Sequence, residues 1–152
     1  MIDTFKPVRT AYYTALNGNV TVSVEGVSTV IPVYSHVPDN TDYPYIFIGN
    51  QSDRGGSDIE TRTKGNRYAT EHLIELYAVT GFVTADDNAT KSIADNISSA
   101  VLQIVLSDTP LTFTGVENVV ATYEGGTEET ERNETNLVIT RQIVIKHLLS
   151  QN

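Results

Sequence analysis

The sequence predicts an α+β domain, a mostly antiparallel sheet of about five to six strands with two helices packed on it. Three observations carry that expectation. The segment Asn66 to Thr80 alternates with the two-residue period of a pleated strand. The stretch from about Ala85 to Val105 bears a single apolar stripe at helical spacing. Polar turns divide the remainder into short alternating runs. With no break in composition across 152 residues, a single domain spanning 1–152 is expected.

Taken in order, Asp3 or Thr4 is positioned to cap a first helix whose apolar side holds Phe5, Val8, Ala11, Tyr12, Ala15 and Leu16. Pro7 is tolerated there because it falls in the first turn, and Asn17-Gly18 ends the helix. Val20, Val22 and Val24 then alternate with polar residues, Glu25-Gly26 marks a turn, and Val27 to Tyr34 runs back as a hairpin partner. Pro32 confines that return strand to an edge or cuts it short. The run Tyr43 to Gly49 is continuously apolar, as expected of a strand covered on both faces or placed in the sheet centre. From Asn50 to Gly65 no hydrophobic period survives, and a long polar loop is expected.

In the central strand His72, Ile74, Leu76 and Ala78 form the drier face, which should meet the second helix. Glu71, Leu73, Glu75, Tyr77 and Val79 form the other face. A turn through Gly81-Phe82-Val83 follows, with Thr84 as the helix cap and Asp86 and Asp87 favoured by the helix dipole. The helix should bury Ile93, Ile97, Val101 and Ile104, with Ala89, Ala94 and Ala100 beside them, each large side chain contributing about 1.5–3 kcal/mol. Asp108-Thr109-Pro110 stops the chain. Leu111, Phe113 and Val116 lead into a strand through Val119, Ala121 and Tyr123. Leu137 to Leu148 forms the last strand, with Leu137, Ile139, Ile143 and Ile145 on one face, and the polar stretch Glu124 to Asn136 makes the acidic tip of a long hairpin.

Nineteen acidic against ten basic residues give a net charge of −9, which disfavours a partner held through phosphate contacts. An acidic surface is compatible with a passage through which DNA slides. Cysteine is absent, so no disulfide framework or thiolate chemistry is available. The N-terminus lacks a basic region followed by an apolar core, and no run approaches a membrane span, so a soluble protein made in the cytoplasm is expected.

His36, His72 and His147 stand at no ligand spacing, and the latter two read as sheet residues in preference to metal ligands. The segment Asp53 to Asp58 lacks the alternating ligands and terminal Glu of a calcium loop. Asp86 and Asp87 are explained by helix capping, and Arg62, Lys64 and Arg67 are too few against the overall charge to argue for DNA binding. No GxSxG, HExxH or phosphate-cradling glycine loop occurs. Neither enzymatic activity nor a cofactor is expected.

The succession of Leu16, Val33 to Pro38, Tyr43-Pro44-Tyr45-Ile46-Phe47-Ile48-Gly49, Glu71 to Tyr77 and the alanine- and isoleucine-bearing helix resembles the tail terminator, or tail-completion, proteins of long-tailed bacteriophages. The likeness spans roughly residues 5 to 148, and the long polar loop and acidic hairpin tip depart from the compact family pattern. The resemblance implies a virion protein, assembled in the host cytoplasm, that forms a homo-oligomeric, hexameric ring on the head-proximal end of the tail tube. Its implied partners are further copies of itself, the tail tube protein and a neck or head-completion protein, with DNA passing through unbound. On this reading Asp53, Arg54, Asp58, Arg62 and Lys64 in the first polar segment, and Glu128, Glu129 and Glu131 in the second, are the expected partner contacts. A head-closure or head-to-tail adaptor protein of the neck, or a cytoplasmic ligand-binding module or hydrolase, are the alternatives.

Overall fold

The computed structural model describes residues 3–54, 68–82, 87–132 and 136–151. Two helices, α1 (Phe5–Leu16) and α2 (Asp87–Val105), pack on a six-stranded sheet. The strands are β1 (Thr21–Val24), β2 (Val27–Val30), β3 (Val33–Tyr34), β4 (Tyr45–Arg54), β5 (Tyr68–Phe82), β6 (Glu117–Gly125), β7 (Glu128–Arg132) and β8 (Leu137–Gln151). In the main sheet the order is β3-β4-β5-β8-β6, with β7 continuing along β8 beyond β6. Every pairing is antiparallel except the short parallel contact of β3 with β4. The fold is α+β, as the periodicities predict.

The long strand and the last strand pair along their whole length, from Tyr68 opposite Gln151 to Phe82 opposite Leu137. The inward faces are those read from the alternation. His72, Ile74, Leu76 and Ala78 of β5, and Leu137, Ile139, Ile143 and Ile145 of β8, are all buried. From the helical side Val8, Tyr12 and Leu16 of α1, and Ile93, Ile97 and Val101 of α2, close over them. Val105 completes the stripe of α2 where the spacing pointed to Ile104, which is only half-buried. At 100° per residue, a step of four from Val101 stays nearer the axis of contact than the step of three that the stripe needed. Ala89 is exposed, and in that first turn it is Thr90 that is buried, its carbonyl accepting the Thr80 hydroxyl of β5 at 3.4 Å.

Several expectations are revised. Val27 to Tyr34 is not one strand. Pro32 interrupts it, and while β2 pairs with β1 in a separate two-stranded hairpin, β3 joins the edge of the main sheet. The hairpin turn places both Glu25 (φ 51°) and Gly26 (φ 81°) at positive φ, the backbone of a two-residue turn matched to strand twist. Tyr43 to Gly49 is neither central nor covered on both faces. Strand β4 begins at Tyr45, lies one strand from the edge, and buries Ile46 and Ile48 while Tyr45 and Phe47 stay half-exposed. The polar loop starts later than expected, because Asn50 to Arg54 remain in β4 and pair with β5 across a register shift between Ile48 and Gln51. Gly81 and Phe82 belong to β5 and not to a turn. Glu128 to Arg132 form β7 and not a hairpin tip, since charged side chains are free to point outward from an edge strand. Asn66, Val83, Thr84, Ala85 and Asp86 lie outside the described residues.

Helix α1 is fixed by polar contacts as well as by its apolar stripe. Asp3 accepts the Phe5 backbone N–H at 3.1 Å. Thr4, the other candidate cap, makes no capping bond; its buried hydroxyl lies 3.0 Å from His72 Nδ1 and 3.4 Å from Asp53. His72 Nε2–H donates to Gln51 at 2.8 Å. In the facing register position on β8, His147 is equally buried. Asn118 donates its amide N–H to the Leu111 carbonyl, so its oxygen faces His147 Nδ1 at 2.9 Å and accepts the proton carried there. His147 Nε2 is then left to accept the Tyr12 hydroxyl, with Phe113 edge-on to the ring. Burial, reinforced by His72 alongside, holds the His147 pKa down to about 4, and burial lowers that of His72 against the opposing pull of Asp53 and Asp3. Both rings are kept neutral.

Two measurements check this core. Ile97 has no exposed surface, so Ile97→Ala should cost about 2–5 kcal/mol in urea unfolding, and Ile97→Asp should leave no cooperative transition by circular dichroism. The depressed His147 pKa makes its contribution complete above the unfolded value of about 6.5 and progressively lost as pH falls towards 4, because only the unfolded chain takes up the proton. Unfolding free energy should therefore drop by about 2 kcal/mol more between pH 7.5 and 5.0 in the native chain than in His147→Gln, which keeps a donor and an acceptor without titrating.

Candidate functional site

Both helices cover the same face of the sheet, and among the described residues none lies on the other. That outer face takes the odd residues of β5 and the even residues of β8, most of them half-buried where the inward set is buried. It divides into two regions.

Near the start of β5, charges of alternating sign cross four strands. Arg54 of β4 bonds Glu71 of β5 at 2.8 Å, and Lys146 of β8 bonds Glu124 of β6 at 2.8 Å, with Leu73 opposite Lys146 between the pairs. Together with Ser52 and Asp53 these side chains line an open cleft of about 550 Å³. The hydrogen bond and charge of Glu124 raise the Lys146 pKa, so the ammonium stays charged across the neutral range. Ion pairs this exposed contribute little stability. Their effect is to cancel charge locally and leave polar groups pointing into solvent.

Towards the other end the face is aromatic. Phe47 stacks on Tyr77 with ring centroids 5.9 Å apart, and Tyr45 meets Tyr34 edge-on and stacks on Tyr43. Glycine makes room for this layer, because a Cβ on Gly49 would stand 2.5 Å from the Tyr77 ring. The Tyr77 hydroxyl donates to Glu75 at 2.8 Å, Gln142 reaches the same hydroxyl at 3.4 Å, and Thr127 donates to Gln142 at 3.2 Å. Burial, then the bond to Glu75, raises the Tyr77 pKa; burial and Tyr43 raise that of Tyr45. These phenols remain protonated donors.

The residues expected to contact partners are not gathered into one place. Asp53 points to the inward side, beside Thr4, and Arg54 to the outer face. Asp58, Arg62 and Lys64 lie outside the described residues. Glu128 turns to the helical side, 3.6 Å from Arg141 and 4.0 Å from Lys91, while Glu129 and Glu131 sit opposite Thr140 and Val138 on the outer side. Arg54 opposes Glu71, whereas Thr140, the partner of Glu129, opposes Val79, so the two groups stand eight residues apart along β5, about 26 Å. The sheet holds them at opposite ends.

The alternation also hid an apolar surface. Val119 and Tyr123, on the strand expected through Val119, Ala121 and Tyr123, are 51% and 40% exposed, and Val120 is 51% exposed beside them. A register shift between Asn118 and Val120 brings two adjacent valines out together on the outermost strand. Val27 and Val30 of the β1–β2 hairpin are exposed at 65% and 55%. The visible signal was that Val119-Val120 puts apolar side chains on both faces of a strand that closes the sheet.

His72 and His147, the rings best suited to move protons near neutrality, are fully buried and held neutral, and among the described residues no three metal-ligating side chains converge. No protein-family model matches the sequence. No curated protein matches it either. A solved structure does: a chain from the virion of a native gene transfer agent particle shares the fold with a TM-score of 0.66 at 13% identity, over 98% of this chain and 99% of that one.

Proposed function

We propose that this chain is a structural protein of a phage-like virion and that it works as a tail terminator. Copies form a ring, hexameric in this reading, on the head-proximal end of the tail tube, end its growth and present a surface to the neck. The observation that carries the proposal is the shared fold with a virion chain over essentially the full length of both molecules. A match confined to a common sheet motif would leave additional elements on one side or the other, and here almost none remain. The sequence resemblance to tail terminators, reached from other evidence, supports a place at the tail end of such a particle.

Three features suit the role. Outermost strands offer unpaired backbone groups for contact between neighbours. The outer face, broad and partly apolar, is fit to lie against another protein, with Arg54 at one end and Glu129 and Glu131 at the other as candidate contacts. Asp53 and Glu128, and Asp58, Arg62 and Lys64 beyond the described residues, complete the proposed set. A net charge of −9 lets DNA pass a lumen without adhering. A head-closure or adaptor protein would share the location and differ in the step it performs.

Electron microscopy of lysates from a phage lacking the gene separates these roles. The expected result is overlong tails of uneven length, detached from full heads. Tails of normal length beside heads that have lost their DNA would assign the chain to head closure, and intact infectious particles would refute both.

A further inference from the structure

Among the described residues, Val27, Val30, Val119, Val120 and Tyr123 are large apolar side chains left exposed on two elements. One is the β1–β2 hairpin, which leads through Ile31 and Pro32 into β3 at one edge of the main sheet. The other is β6, at the opposite edge. An apolar, unpaired outer strand is an aggregation hazard unless something covers it. The hairpin likewise leaves Val27 and Val30 more than half exposed.

Charge identifies the occupant. In a chain of net charge −9 most surfaces of two copies repel, and close approach is favoured only where charge is absent. Residues 10–38 contain a single charged side chain, Glu25, and residues 109–123 contain only Glu117. These two stretches hold the hairpin and the apolar part of β6. The stretches with least charge thus carry exposed apolar side chains, and they lie on different elements of the fold.

Resting on the ring reading above, we propose that the hairpin of one copy docks on the β6 edge of the next, Val27 and Val30 against Val119, Val120 and Tyr123. The contact is heterologous, because two different surfaces meet. Each copy therefore keeps one free hairpin and one free edge until the ring closes. Self-complementary contact through a twofold axis would instead stop at a dimer.

The absence of cysteine makes a direct test clean. Val30→Cys, Val120→Cys and the double variant are purified as full chains, concentrated and treated with a short bis-maleimide, and products are sized by denaturing electrophoresis. Both positions are more than half exposed, so the fold should tolerate each change, as circular dichroism would verify. The expected result is a ladder of dimer, trimer and larger species from the double variant, none from either single variant, and a dimer and nothing larger when the two single variants are mixed. Cross-linked dimers from one single variant alone would overturn the head-to-tail arrangement. No ladder from the double variant would overturn the seam: if light scattering finds the native chain in larger assemblies, the ring reading survives with a different contact, and if the chain stays monomeric, self-association through these patches is refuted while the tail phenotype still decides the role.

Discussion

Strands β5 and β8 run antiparallel over fifteen residues each, and because side chains alternate, one register decides which face of both is inward. A slip of a single residue would bring Glu71, Glu75 and Lys146 under the helices and put Ile74, Ile143 and Ile145 into water. The pair His72 and His147 resists such a slip. Each ring is satisfied by partners that only the observed register supplies: Thr4 and Gln51 for one, Tyr12 and Asn118 for the other. Polar groups this deeply buried are costly without those bonds, so they specify the arrangement more than they stabilise it. Through Thr4 and Tyr12 the same network also fixes α1 on the sheet.

What the sequence made legible follows from that alternation. The inward faces of β5 and β8 could be read residue by residue because their period is strict and their apolar residues are large. The stripe on α2 was read nearly as well, with Val105 taking the place of Ile104, since the two positions stand 100° apart and flank the buried stripe on either side. Strand β4 was misplaced for a physical reason: Tyr45 and Phe47 look like core side chains, but tyrosine and phenylalanine also serve as a half-exposed layer on an open sheet. Asn50 to Arg54 were read as loop because a polar strand at a sheet end has no hydrophobic period to announce it. The same blindness applied to Glu128 to Arg132, which gain their strand conformation from pairing with β8 and not from their own composition.

The candidate site was less legible than the fold. Charge and loop length drew attention to Asp53, Arg54 and the glutamates near 130, and the sheet places them at its two ends with intramolecular partners for Arg54 and Glu128. The exposed valines gave a weaker signal because alternation alone does not say which strand is outermost. Strand order is a tertiary fact, and exposure of Val119 and Val120 follows from no described strand pairing with the outer edge of β6.

Charge and apolar exposure together describe how an acidic chain can associate with itself yet not with everything else. At −9 a copy is repelled by its neighbours at Debye-length distances of about 8–10 Å, and this keeps dilute chains apart. At contact the repulsion depends on which charges come close, and the hairpin and residues 117–123 of β6 bring only Glu25 and Glu117 to the meeting, the adjacent Glu124 being paired with Lys146. Wrong contacts, such as one outer face against another, would oppose Glu75, Glu129 and Glu131 to themselves. The acidic residues then act as exclusion, and the two uncharged patches remain as the places where backbone and valine can meet. A ring built this way derives its specificity less from strong contacts than from the penalty attached to every other approach.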